Sequence, residues 1–339
     1  MKNRVVAVLL LICTLLYSPS KAGNNDYKNK SNSIVEKYGI LKVNGNKVVD
    51  KNGETVSLIG MSLFWSQWGG DYYNKSCIEW LVKDWNCTVI RAAMGIEGGG
   101  YLKNQEKELE KIFTVIDACI DLGVYVIVDW HDHNGEKHTE EAVKFFGLIA
   151  QKYGEYPNII YEIYNEPLQV SWSKVIKPYS EKVIGEIRKY DKEKLIIAGT
   201  PTWSQDVDSA STDPLDDVNT AYSLHYYSST HRQFLRDKAI TAMNNGVALF
   251  ITEYGISEAN GNGIIDSVET DLWFKFIEEH KLSALNWSIM DKEETSSSLK
   301  PSTNPQGNWK DEDLTESGEI IRDYIKTRNA NIWNSLSKE

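Results

Sequence analysis

The stretch IIYEIYNEPLQ, residues 159–169, begins as a buried strand and breaks at Asn165-Glu166-Pro167. Its Ile and Tyr residues suit a pleated, packed surface. Pro167 has no N–H for a sheet ladder and biases the residue before it toward extended geometry, so the strand ends here. An amide and a carboxylate are thereby held side by side at a strand's last residues. The segment that follows, SWSKVIKPYSEKVIGEIRKY (171–190), has apolar residues three and four apart, the spacing of one helix face.

This strand–helix unit recurs along the chain. TVSLIGMSLF (55–64) precedes a helix near 76–85, and CTVIRAAM (87–94) precedes QEKELEKIFTVIDACIDL (105–122). VYVIVDWH (124–131) leads to a helix over 139–154, with Thr139 expected as its N-cap and Gly154 as its C-cap. KLIIAGT (194–200) leads to a loop containing Trp203. TAYSLHYY (220–227) leads to a helix over 231–245, VALFITEYG (247–255) to one over 266–280, and LSALNWSIMD (282–291) to one over 314–328. Continuous apolar runs suit parallel strands covered on both faces. Eight units in succession predict an α/β fold, a (β/α)8 TIM barrel forming a single domain over residues 23–339. A doubly wound sheet would carry a Gly-rich phosphate loop after its first strand, and GMSLFWSQWGG is not that pattern.

The first 22 residues read differently. A basic start (MKNR), an apolar run (VVAVLLLICTLL) and a small-residue site ending at Ala22 form the pattern of a secretory signal peptide. Secretion is therefore expected, with no membrane span in the mature chain. A net charge of −11 over 339 residues, with 48 acidic and 37 basic side chains, offers no basic footprint for nucleic acid. Cys13 lies in the leader, and Cys77, Cys87 and Cys119 remain, an odd number that predicts one disulfide and one free thiol. The 11 Trp and 18 Tyr exceed what polar chemistry needs and supply flat platforms for sugar rings as well as core.

In such a barrel the chemistry sits at the carboxyl ends of the strands. Those ends carry Arg91, then Asp129, His131 and His133, then Asn165 and Glu166, then His225 and Tyr227, Glu253 and finally Trp287. Glu166 and Glu253 face each other across the mouth, and a facing carboxylate pair is what glycosidic cleavage needs. One must be protonated to donate to the leaving oxygen, and the other ionised to attack or to activate water. Like charge at close range is expected to keep the acid protonated, while Arg91 and Tyr227 hold the nucleophile ionised. Asn165 is placed for a sugar 2-hydroxyl, and Trp65, Trp203 and Trp287 for stacking. A single strand-end Glu is more often solvated or loop-bonded than catalytic, and a lone Arg is more often a structural ion pair. His131 and His133 also resemble an H-x-H metal pair, for which His225 and Asp129 could serve as further ligands, but strand five, KLIIAGT, offers no ligand candidate, so no metal or cofactor is expected.

IIYEIYNEPLQ, VIRAAM, VDWHDHN, SLHYYSSTH, LFITEYGISEANGNG and NWSIMDKEETSSSL resemble, in order, the strand-end motifs of glycoside hydrolase family 5, most closely its secreted endo-β-1,4-glucanases. The resemblance runs from about position 35 to 328. It implies a retaining mechanism with Glu166 as acid/base and Glu253 as nucleophile. It places Arg91, His131, Asn165, His225, Tyr227 and Trp287 around them, and Lys292 and Glu294 on the sugar two sites before the cut. The implied partner is a β-1,4-linked glucan and the implied form a monomer. The family's frequent carbohydrate-binding module and linker are missing, which bears on crystalline cellulose rather than on soluble chains. The rivals are the same machinery acting on mannan, xylan or xyloglucan, and a non-catalytic sugar-binding barrel, which would be expected to have lost one carboxylate.

Overall fold

The computed structural model describes residues 32–337. The proposed leader, residues 1–22, lies outside them. A short helix α1 (Ile34–Tyr38) and a hairpin of β1 (Lys42–Asn44) and β2 (Lys47–Val49) come first. The strand–helix pattern does not predict this hairpin. Asn219, just before a barrel strand, ties it down by accepting from the Val43 N–H at 2.6 Å and donating to the Leu41 carbonyl at 3.0 Å.

The barrel follows as β3 (Ile59–Leu63), α2 (Lys75–Lys83), β4 (Val89–Gly95), α3 (Gln105–Leu122), β5 (Tyr125–His131), α4 (Thr139–Tyr153), β6 (Ile159–Glu162) and α5 (Lys177–Tyr190). It continues with β7 (Ile196–Ala198), the short helices α6 (Pro201–Ser204) and α7 (Val207–Ser211), β8 (Thr220–Tyr227), α8 (Gln233–Asn244), β9 (Leu249–Gly255), α9 (Ser267–His280), β10 (Ala284–Ile289) and α10 (Glu316–Leu336). Strands β3 to β10 pair in parallel in sequence order, and β10 returns to β3 to close the ring. Every residue of these eight strands is buried, the condition that makes them read as unbroken apolar runs. No helix among the described residues is long and apolar enough to cross a membrane.

Four expectations are corrected. His138, not Thr139, caps α4; Thr139 is already helical and its hydroxyl donates to the Glu136 carbonyl. α5 is preceded by a π-helical turn, Trp172–Ile176. α10 runs on to Leu336, because Ile325, Asn329 and Leu336 bury one face where the sequence looks polar. Asn329 donates to the Ile59 and Asn86 carbonyls at 2.9 and 2.8 Å, stitching the helix to the barrel. Finally, Cys77, Cys87 and Cys119 are all free and buried, with no disulfide among them. Burial pushes each thiol up, so they behave as small apolar core residues rather than reactive groups.

Two glycines give opposite tests of the packing. A Cβ at Gly60 in β3 would lie 1.8 Å from the Val89 carbonyl oxygen, whereas one at Gly185 on α5 meets nothing within 4 Å. Gly60→Ala should cost about 3 kcal/mol or more, because β3 and β4 would have to separate. Gly185→Ala should add about 0.5–1 kcal/mol through helix propensity. Urea unfolding of the two variants checks both signs.

Candidate active site

Arg91, fully buried on β4, organises the mouth of the barrel. Its Nε donates to Glu162 Oε2 at 2.7 Å, Nη1 to Glu253 Oε2 at 2.9 Å, and Nη2 to Asn165 Oδ1 at 2.6 Å. Asp129 Oδ2 lies 3.0 Å from Nη2, and Ser62 Oγ accepts from Nη1 at 3.3 Å. One guanidinium thus meets three carboxylates from three strands, which together raise its already high proton affinity against the burial that opposes it. Arg91 is the structural ion pair of the cautious reading, and it also positions Glu253 and Asn165.

Glu253 receives its second hydrogen bond from the Tyr227 hydroxyl at 2.9 Å. Tyr227 lies against Gly255, where a Cβ would fall 2.3 Å from its ring, so only glycine leaves room for the tyrosine to reach Glu253. Glu166, just beyond β6, is tethered by its N–H to the Asp132 carbonyl at 3.3 Å. His225 Nδ1 lies 2.9 Å from Glu166 Oε1 while its Nε2 lies 2.8 Å from Thr252 Oγ1. His133 Nε2 lies 3.1 Å from Glu166 Oε2. One oxygen of Glu166 and one of Glu253 come within 4.8 Å of each other, with His225 beside both.

The titrations follow from these contacts. Burial opposes the charge on Glu166, but the hydrogen bonds and charges of His133 and His225 bring its carboxyl down to about 2. This corrects the expectation that like charge keeps Glu166 protonated in the empty cleft: two histidine donors outweigh one neighbouring carboxylate. Burial and then the charge on Glu166 push Glu253 up, against His225, Arg91 and Tyr227. The two lean in opposite directions because they are coupled, so a proton arriving on Glu166 removes a charge that raises Glu253. His225, despite burial, is pushed up to about 9 by Glu162, Glu166 and Glu253. His131 is held well below its usual range by burial and by Arg91, and is neutral; its Nδ1 lies 2.6 Å from Asp129 Oδ2.

Aromatic side chains line the mouth of the barrel. His131 stacks on Trp287 with centroids 5.1 Å apart and Trp65 meets His131 edge-on at 4.1 Å. Phe64 lies 5.2 Å from Trp287, and Lys292 stands over Phe64 while pairing with Glu294, so these two residues reach the same mouth. Trp203, 39% exposed, joins the rim through its N–H to the Pro167 carbonyl at 2.8 Å, in the loop that carries Glu166. The Asn165 Nδ2 is buried without a partner among the described residues, a donor left for a ligand hydroxyl.

His131 and His133 do not form a metal pair, since each turns to a different carboxylate. Neither belongs to the clusters whose donor atoms converge within 4.8 Å, Glu97–Asp132–His138 and Glu166–His225–Glu253. In the first His138 contacts both carboxylates, and in the second His225 bonds Glu166. Sequence reasoning missed Glu162 and Thr252 and saw Asp129 and His133 only as possible ligands. Glu162 had a signal: a carboxylate inside an apolar strand run needs a buried partner.

The cellulase profile, glycosyl hydrolase family 5, matches residues 49–293. This chain belongs to that family. It is 47% identical to endoglucanase Z of Dickeya dadantii over 291 residues, 85% of this chain and 66% of that protein. A solved structure from Cytophaga hutchinsonii superposes with a TM-score of 0.89 at 51% identity, covering 89% of this chain and 99% of that one. The catalytic domain of Thermobifida fusca endoglucanase Cel5A superposes with a TM-score of 0.83 at 31% identity, covering 87% and 99%. The chain thus spans about two thirds of the length of the Dickeya relative.

Arg91→Met should leave Asp129, Glu162 and Glu253 facing one another without a counter-charge. A loss of about 3–5 kcal/mol is expected, as for any buried ion pair broken from one side. Denaturant unfolding measures it, and a loss under about 1 kcal/mol would show that the carboxylates share protons instead.

Proposed function

We propose that this family 5 chain is an endo-β-1,4-glucanase that cleaves internal bonds of cellulose-type glucans with retention of configuration. The observation that carries the reading is the approach of Glu166 and Glu253 to within 4.8 Å. Retaining glycosidases hold their carboxyls roughly 5–5.5 Å apart for direct attack, while inverting ones need about 6.5–9.5 Å to seat a water. Glu253 is the nucleophile: the rigid end of β9, Arg91 and Tyr227 fix both of its oxygens. Glu166 is the acid/base. It stands on the loop side of the cleft beside His225, whose proton it can share. Asn165 offers its unpartnered Nδ2 to the sugar 2-hydroxyl, with Arg91 fixing the amide through its oxygen.

The route to the product follows. Glu253 attacks the anomeric carbon as the C–O bond to the leaving sugar breaks and Glu166 protonates that oxygen. Water then enters, Glu166 removes its proton, and the glycosyl–Glu253 ester is cleaved. Trp65, Trp203, Trp287, His131, Lys292 and Glu294 supply the stacking and polar contacts along the chain of sugars. Residues 1–22 fit a secretory leader, so the enzyme acts outside the cell through its catalytic barrel.

Reducing-end release from carboxymethylcellulose, mannan and xylan, assayed side by side, should favour the first; a higher rate on mannan or xylan would reassign the polymer. Glu253→Gln should lower turnover by at least about a thousand-fold, roughly 4 kcal/mol, with oligosaccharide binding retained. A variant keeping a tenth of the activity would remove Glu253 from its role. NMR of a fresh digest should show the β-anomer first, and an initial α-anomer would contradict retention.

A further inference from the structure

His133 occupies the oxygen of Glu166 that a leaving group has to reach. Oε1 is committed to His225, which is buried and pinned through its other nitrogen to Thr252. Only Oε2 can turn to substrate, and there His133 Nε2 sits at 3.1 Å. The two histidines are not equivalent, because the His133 side chain is 37% exposed and that of His225 only 2%. The backbone near His133 is held: the Asn134 N–H bonds Asp132 Oδ1 at 2.8 Å, and the Tyr164 hydroxyl, donating to Glu136 at 2.5 Å, lies 3.2 Å from the His133 carbonyl. The imidazole is open to solvent on one side and meets Trp65 edge-on at 5.5 Å on another, so a change of its side-chain torsions alone would release Oε2.

We propose that His133 is a proton gate on Glu166: in the empty cleft it holds Oε2, and the leaving-group oxygen of the glucan replaces it there. The inference rests on Glu166 being the acid/base. In the exchange the Nε2–H bond of the imidazolium breaks, an O–H bond forms on Oε2, and His133 withdraws as neutral imidazole, so no other donor is required. A protonated Oε2 aimed at substrate no longer attracts the histidine, and the gate opens as the acid forms. The charges around His133 support a loaded gate. Glu166, Glu253 and Asp132 face it and, against burial, raise its proton affinity, while neutral His131 lies two residues before it at the end of β5. Cationic Arg91 and His225 lie beyond the carboxylates they bond, and Tyr227 faces Glu253.

The test uses the full enzyme with His133→Ala and His133→Gln, the second keeping a hydrogen-bond donor without a charge. Removing the cation beside Glu166 should make the Glu166–His225 pair hold its proton more tightly. The alkaline limb of kcat/KM on cellopentaose should move up by about half to one pH unit in both variants. The limb of kcat, which reports the filled cleft where the gate has already left, should move less. The loss in kcat/KM, about three- to ten-fold, should be confined to cellopentaose and absent with a dinitrophenyl cellobioside, whose leaving group departs without a proton. An unmoved limb, equal losses on both substrates, or full rescue by Gln would overturn the gate and leave His133 a structural contact. Glu166→Ala is the control. It should lose cellopentaose activity but keep the first step on the dinitrophenyl substrate, and equal loss on both would overturn the acid assignment itself, and the gate with it.

Discussion

One buried guanidinium sets the terms for this active site. Arg91 cannot lose its proton at any relevant pH, and it sits in a barrel interior where an unpaired charge is costly. Its solution is to gather Asp129, Glu162 and Glu253 from β5, β6 and β9. Those contacts span the barrel and fix three strand ends relative to β4. The nucleophile, the amide of Asn165 and the Asp129–His131 pair are all oriented from this single cation. Glu162 serves two cations: with Glu166 and Glu253 it also pushes His225 up to about 9, against the burial that opposes the charge.

Around that charged floor the mouth is lined with rings. Phe64, Tyr227 and Trp287 form a small apolar cluster with Ala93, separate from the main core, with Trp65 and Met290 against it. Such a cluster lowers the local dielectric above the carboxylates, and every charge contact beneath it gains strength. Neutral His131 belongs to this wall rather than to the acid–base chemistry: it stacks on Trp287 and shares a hydrogen bond with Asp129.

Most of the fold was legible because barrel strands are buried on both faces, so VYVIVDWH and TAYSLHYY announce themselves without alternation. The facing glutamates were legible for a related reason, as polar residues at the ends of apolar runs have few uses besides chemistry. What stayed hidden depended on tertiary contact. The tail NANIWNSL looks like an irregular end until Asn329 and Trp333 are seen donating to the Asn86 carbonyl. The three cysteines suggested a crosslink by count alone, but buried core positions make them packing residues. Glu162 lay unread inside the opening motif because its partner, Arg91, is 71 residues away in sequence.

The two carboxylates also differ in what kind of backbone carries them, and that difference matches their work. Glu253 lies within β9, its register set by pairing with His225 on β8, and both of its oxygens are held by buried groups. A nucleophile must attack from one fixed direction, and a strand provides that. Glu166 stands beyond the last residue of β6, tethered to the β5 loop through Asp132. It has to give a proton, take one back and admit a leaving group between those events. An acid that changes state needs one partner that stays and one that can leave; His225, buried on a strand, and half-exposed His133, on a loop, divide those tasks by where the fold puts them.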